Sequence, residues 1–256
     1  SLPSVASSAP EIMIGQIAAV TKNMRIGSGG IMLTNHAPLM VAERFKMLEA
    51  LFPGRIDLGL GRAPGTDQVT AFALRRRLEE RQGDDFLERL QELFLWETRN
   101  FPADHPFNKV TVMPSGVPLP PVWLLGSSDY SAQLAGQIGA GYAIASHFSD
   151  LDPVMPMLSY RSRFTPSDHL QQPRSILAVA AVIAETEALA ETLAMTYDLN
   201  WLRRARGEML PLPSPEEAQA HPWTEQERRY IAGRRQKLYC GTPEQVLCQN
   251  VLSWRI

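Results

Sequence analysis

Three short runs in this 256-residue chain combine residue types and spacings that could do chemistry. The first is LGLGRAPG, Leu58 to Gly65, where Gly59, Gly61 and Gly65 come close to the spacing of a nucleotide-binding loop. A dinucleotide fingerprint needs G-x-G-x-x-G, with the last glycine inside a first helical turn. Here the third glycine comes late, Pro64 precedes it, no helix pattern begins immediately after it, and no acidic residue closes a second strand at the expected distance. These departures argue against a dinucleotide loop, and a Rossmann dehydrogenase stays a minor alternative beside two other readings. One is a strand end with a tight turn. In the other, Gly61 leaves room for a flat cofactor ring and Arg62 offers a cation to a phosphate.

The second run is GSGGIML, Gly27 to Leu33. Three glycines weaken a strand and mark a bulge or a close approach by backbone or ligand. Gly29 and Gly30 sit just upstream of a helix start, which favours a ligand. The third run is LLGSSDYSAQLAG, Leu124 to Gly136. An apolar strand ends at Gly126, the hydroxyls of Ser127 and Ser128 precede a helix, and Ser131 lies one turn along. Backbone N–H groups at a helix N-terminus bind anions. The competing reading is ordinary N-capping by Ser128.

Histidines are few: His36, His105, His147, His169 and His221. No pair has metal-ligand spacing, so no metal is expected. His147 follows the apolar run YAIAS, ending in Ser146, at the end of a strand where barrel and open-sheet enzymes carry chemistry. It reads as a site-lining or structural residue. No G-x-S-x-G elbow is present. Arg75 to Arg77 form a basic run, read as a solvated or interface face or as a phosphate contact.

The elements that must position these residues alternate. Met24–Leu33, Arg55–Gly61, Pro120–Gly126, Gly141–Ser146 and Ser175–Ala184 read as strands, near-continuously apolar as strands buried on both faces should be. Helical stripes lie between them, including Val41, Phe45, Leu48 and Phe52, and Phe86, Leu90, Leu93 and Phe94. The alternation predicts an α/β fold with a parallel sheet and helices outside. Five strands suit a doubly wound sheet, or an eight-stranded barrel with strands missing at both ends. The proline-rich Met209–Trp223 breaks the pattern and predicts an excursion, taken as 202–238, over one end of the sheet. Thr242, Pro243 and Gln245 predict a capped late helix.

A net charge of −2 gives no basic face for nucleic acid. No run of about 18 apolar residues predicts a membrane span. Cys240 and Cys248 have neither a zinc spacing nor a disulfide pattern, which suits a reducing cytoplasm. The start SLPSVASSAP lacks an initiator Met and has no signal-peptide pattern, so both ends read as incomplete.

RIGSGGIMLTNHAPLMVAERFKMLEALFPGRIDLGLGRAPGTD, continued by PVWLLGSSDYSAQLAGQIGAGYAIASHF, resembles the bacterial luciferase-like flavin monooxygenases, from about Ser1 to Val246. The resemblance implies one (β/α)8 TIM barrel domain over 1–256, here without its first two strands and its last. Met24–Leu33 matches barrel strand three and Arg55–Gly61 strand four. Pro121–Gly126, Gly141–Ser146 and Ser175–Ala184 match strands five to seven. It implies reduced FMN as cofactor, a flavin reductase that supplies it, a homodimer, and O2-dependent oxygenation of a small organic substrate. By position, Gly29 and Gly30 match a non-proline cis peptide beneath the flavin ring, and Gly61 a residue against the ring. Ser127, Ser128 and Ser131 match the phosphate binders, with Gly126 before them and Arg62 nearby. Ser146 and His147 match the strand end bordering the ring, His147 being the catalytic candidate. An F420-dependent hydride-transfer oxidoreductase on the same fold, or a non-catalytic flavin-binding protein, are the alternatives.

Overall fold

A computed structural model describes residues 3–5, 7–63, 65–75, 85–149 and 152–253. The chain divides into two compact units. The larger comprises Ser7–Ile144 and Met155–Ile176; the smaller comprises Ser1–Ala6, Ala145–Val154 and Leu177–Ile256.

The larger unit begins with α1 (Pro10–Val20), β1 (Ile26–Gly27), β2 (Ile31–Met32), α2 (Pro38–Leu51) and β3 (Ile56–Gly61). It continues through α3 (Gln68–Arg75), α4 (Phe86–Thr98), β4 (Val122–Gly126) and α5 (Asp129–Gln137) to β5 (Gly141–Ala145) and α6 (Val154–Ser162). The pairings among β1 to β5 are parallel: β3 lies between β4 and the short pieces β1 and β2, and β4 pairs β5. Ile56, Leu58 and Leu60 are fully buried. Strand alternation turns them to one face of the sheet, and Asp57, Gly59 and Gly61 to the other. The apolar face packs under the helices, where Val41, Phe45 and Leu48 of α2 and Leu90 and Leu93 of α4 are also buried. The α2 stripe is therefore used inside the unit and is not a surface.

After β6 (Ser175–Ala178), the smaller unit holds β7 (Ala180–Ile183), α7 (Glu187–Ala205), α8 (Pro215–Ala220), α9 (Glu225–Arg235), β8 (Leu238–Gly241) and α10 (Pro243–Ser253). β7 and β8 pair in parallel. α8 and α9 close on α7 through Leu199, Leu202, Ala218 and Ile231.

The α/β class and the five strand segments agree with the sequence, with differences that have physical reasons. Met24–Leu33 is two pieces, because the glycines leave the ladder. Ser175–Ala184 is also divided, into β6 and β7. A helix does follow Gly65: α3 starts at Gln68, where Asp67 accepts from the Thr70 N–H (2.9 Å) and hydroxyl (2.6 Å). Pro64, Arg76 and Arg77 lie outside the described residues. The stretch 202–238 carries α8 and α9, capped by Ser214 and by a Thr224/Glu227 capping box. The late helix is capped as predicted, with the Thr242 N–H donating to Gln245 Oε1 at 2.8 Å.

Candidate functional site

The parallel ladders level the strand ends. Met32 pairs Gly61, Gly61 pairs Leu125, and Gly126 pairs Ile144. The glycines around this level divide into two kinds. A Cβ on Gly61 or Gly29 would meet nothing within 4 Å, so both border open space. A Cβ on Gly59 would fall 2.0 Å from the Ser28 carbonyl oxygen, and one on Gly30 2.8 Å from that of Gly59. Gly30 and Gly59 thus let two backbones pass closely. The Gly29–Gly30 peptide is cis.

β4 delivers Gly126 to the start of α5. Its missing side chain has a local cause: a Cβ there would fall 1.8 Å from Ser131 Oγ. That hydroxyl donates to the Ser128 carbonyl at 2.9 Å. Ser128 occupies the N-cap with extended backbone (φ −136°, ψ 164°), but its side chain caps nothing. The capping reading is therefore corrected: the Ser128 side chain does not cap α5. Asp129 also lies in this turn, with its carboxylate accepting from the Gln133 amide. Arg62 places its guanidinium carbon 4.6 Å from the centroid of the Tyr130 ring, which joins the end of β3 to the first turn of α5. Beneath this turn Tyr142 donates weakly to the Ser128 carbonyl (3.5 Å). Burial pushes its pKa up to about 12, against an opposing hydrogen bond from Ser131. The phenol is therefore neutral near pH 7.

The larger unit thus brings together Gly29, Gly30, Gly61, Arg62, Gly126, Ser127, Ser128 and Ser131. Ser146 and His147 belong to the smaller unit. There the Ser146 N–H donates to the Ala178 carbonyl at 3.0 Å, and His147 Nδ1 lies 3.2 Å from the same oxygen. A carbonyl oxygen only accepts, so Nδ1 carries the hydrogen in this contact and Nε2 takes no part in it. The imidazole packs edge-on against Phe148, with centroids 4.5 Å apart.

Sequence reasoning did not find the opposite ends of the same strands. Asp57 accepts from Arg25 Nη2 (2.7 Å) and Nε (3.0 Å) and from Trp123 Nε1 (2.9 Å). A cleft of about 440 Å³, lined by Arg25, Asp57, Trp123, Gly141 and Arg174, opens there. It lies at the N-terminal ends of β3 to β5, away from the end where parallel α/β enzymes hold their chemistry. No local signal joins residues this far apart in the chain.

Residues 2–250 match a family described as luciferase-like monooxygenase. The uncharacterised protein YvbT of Bacillus subtilis (strain 168) is 45% identical over 245 residues, covering 94% of this chain and 70% of its own length. A luciferase-like monooxygenase of Escherichia coli (strain K12) is 42% identical, covering 88% of this chain and 65% of the relative. Among solved structures, that of apo-MsnO8 superposes with a TM-score of 0.81 at 35% identity, covering 97% of this chain and 74% of that one.

Proposed function

Because the chain belongs to the luciferase-like monooxygenase family, with that family's α/β barrel type of fold, we propose that it works with reduced FMN and O2 to oxygenate a small organic substrate. The observation that carries this reading is the meeting of Arg62 with the first turn of α5, beside the open face of Gly61. The residues fit the cofactor: a side-chain-free floor suits a flat ring, and helix N–H groups with a guanidinium suit a phosphate. Bound reduced flavin supplies the electrons for oxygen activation.

In this reading Gly29, Gly30 and Gly61 form the floor. Ser127, Ser128 and the α5 N–H groups, with Arg62, grip the phosphate, and Ser131, whose hydroxyl donates to the Ser128 carbonyl, shapes the turn that presents them. Gly126 lets Ser131 tuck in beside the strand end. In the smaller unit Ser146 fixes the backbone and His147 is the proposed acid–base group, with Nε2 free of the Nδ1–Ala178 bond. A separate flavin reductase and a homodimer complete the proposal. The exposed face of α2, with Met40, Met47 and Leu51, supports a second copy.

Anaerobic titration of the full-length protein with FMN, reduced FMN and F420 tests the cofactor. Failure to bind either form of FMN would sink the reading, and tight binding of F420 alone would replace it. Arg62→Gln should weaken FMN roughly fivefold, about 1 kcal/mol for an exposed charge contact, and leave riboflavin binding unchanged. An equal loss for both ligands would remove Arg62 from the phosphate site. His147→Gln should cut substrate turnover by roughly 100-fold, as loss of an acid–base group does, with unchanged FMN affinity. Full turnover would leave the histidine a structural role only.

A further inference from the structure

The ladder between β1, β2 and β3 contains a miscount. Gly27 pairs Asp57 and Ile31 pairs Leu60, so four steps on one strand face three on the other. One residue is extra, which makes Ser28–Gly30 a bulge in a parallel pair. Its effect is a change of face. Without it, Gly27 and Ile31 would point the same way as Asp57 and Gly61. With it, Ile31 turns into the apolar face, where it is buried, and Met32 is level with Gly61.

A bulge leaves a ladder group without its partner, and here it is the Gly59 N–H, while the Gly59 carbonyl faces the Ile31 end of the ladder. Leu58 N–H donates across to the Pro121 carbonyl, so Gly59 N–H and C=O point the other way, towards β1 and β2. One side chain reaches both. Ser28 Oγ accepts from the Gly59 N–H at 3.0 Å and donates to the Gly59 carbonyl at 2.8 Å. The serine is buried, and its own N–H still bonds to the Asp57 carbonyl at 3.2 Å. A single hydroxyl therefore stands in for the missing ladder partner of the Gly59 N–H, adds a donor to its carbonyl, and ties the start of the bulge to β3. The untied part, Gly29, is the residue that borders open space.

We infer that Ser28 is a positioning residue: its hydroxyl fixes where the Gly29–Gly30 backbone lies against Gly59 and so sets the height of the floor that receives the cofactor ring. This rests on the flavin reading above. Neither glycine has a side chain to hold it in place, and the next ladder bonds begin only at Ile31. Loss of the hydroxyl orphans the buried Gly59 N–H and removes one of the donors to the Gly59 carbonyl, and the bulge must shift to satisfy the N–H.

The test uses full-length protein with FMN as the probe, in wild type, Ser28→Ala, Ser28→Cys and Tyr160→Phe. Tyr160 is the control. Its buried hydroxyl also makes two backbone hydrogen bonds, to the Ala140 carbonyl (2.9 Å) and from the Arg174 N–H (3.0 Å), but not at the floor. Ser28→Ala should raise the FMN dissociation constant about tenfold and change the visible spectrum of bound FMN. Ser28→Cys, of similar size with a weaker donor and acceptor, should fall between, and carries the test if the alanine variant does not fold. Tyr160→Phe should lower Tm without changing affinity or spectrum. Wild-type affinity and spectrum in the Ser28 variants would overturn the inference, as would an equal loss of affinity in Tyr160→Phe. Failure of wild type itself to bind FMN would overturn the flavin reading, and the inference with it.

Discussion

Gly61→Leu is expected to fold normally and to lose FMN affinity at least 100-fold, about 2.7 kcal/mol or more. Gly61 ends β3, and its φ lies outside the positive range that favours glycine. A Cβ there would meet nothing within 4 Å. Neither backbone strain nor packing requires a glycine, so a surface-like stability change of roughly 0.5 kcal/mol is expected. The proposed ring would need the space that the leucine fills. Gly59→Ala is the contrasting variant. Its Cβ would lie 2.0 Å from the Ser28 carbonyl oxygen and 2.8 Å from Leu125 Cδ1. Both the strand and the bulge would have to move, so stability and affinity should fall together. Thermal melts and FMN titration of the two variants separate a binding glycine from a packing glycine. Unchanged FMN affinity in Gly61→Leu would remove the ring from this floor.

Lys46→Met is expected to cost about 3 kcal/mol of stability. Lys46 of α2 is only 5% exposed. Its ammonium donates to the Val117 carbonyl at 2.8 Å and lies 2.8 Å from Glu97 Oε2 of α4. Glu97 Oε1 in turn accepts from the Leu119 N–H at 3.1 Å. The pair therefore joins two helices to the segment that leads into β4. Methionine fills the volume and removes the charge, leaving a carboxylate whose side chain is only 13% exposed without its cation. For a chain of this size, roughly 2–4 °C of Tm is lost per kcal/mol, so a drop of about 6–12 °C should be seen. Lys46→Met with Glu97→Gln should recover at least half of it, because the amide keeps the bond from Leu119 without the buried charge. A loss below about 1 kcal/mol in the single variant would show that water reaches the pair.

Much of the fold and part of the candidate site could be read in the residues alone. Ile56, Leu58 and Leu60 announce a strand buried under helices, and Thr242 with Gln245 announces a cap, because period and capping are local properties. Ser214 and the Thr224/Glu227 box were just as local, but the prolines around them masked two short helices whose apolar face is completed only by Leu199 and Leu202 of α7. The third glycine of the LGLGRAPG run marked a turn, with α3 beyond it, capped by Asp67.

The tertiary structure decided the roles within the glycine runs. In sequence, Gly29, Gly30, Gly59 and Gly61 are alike; against their neighbours, two border open space and two are required by packing. Ser28 carried no signal because its partner, Gly59, lies 31 residues away. The same holds for Arg25 with Asp57 and Lys46 with Glu97. A strand's period and a helix's cap are settled within a turn or two of chain. Which backbone lies opposite a bulge, and which charge faces which, depends on the register of strands and helices that meet only when the chain has folded.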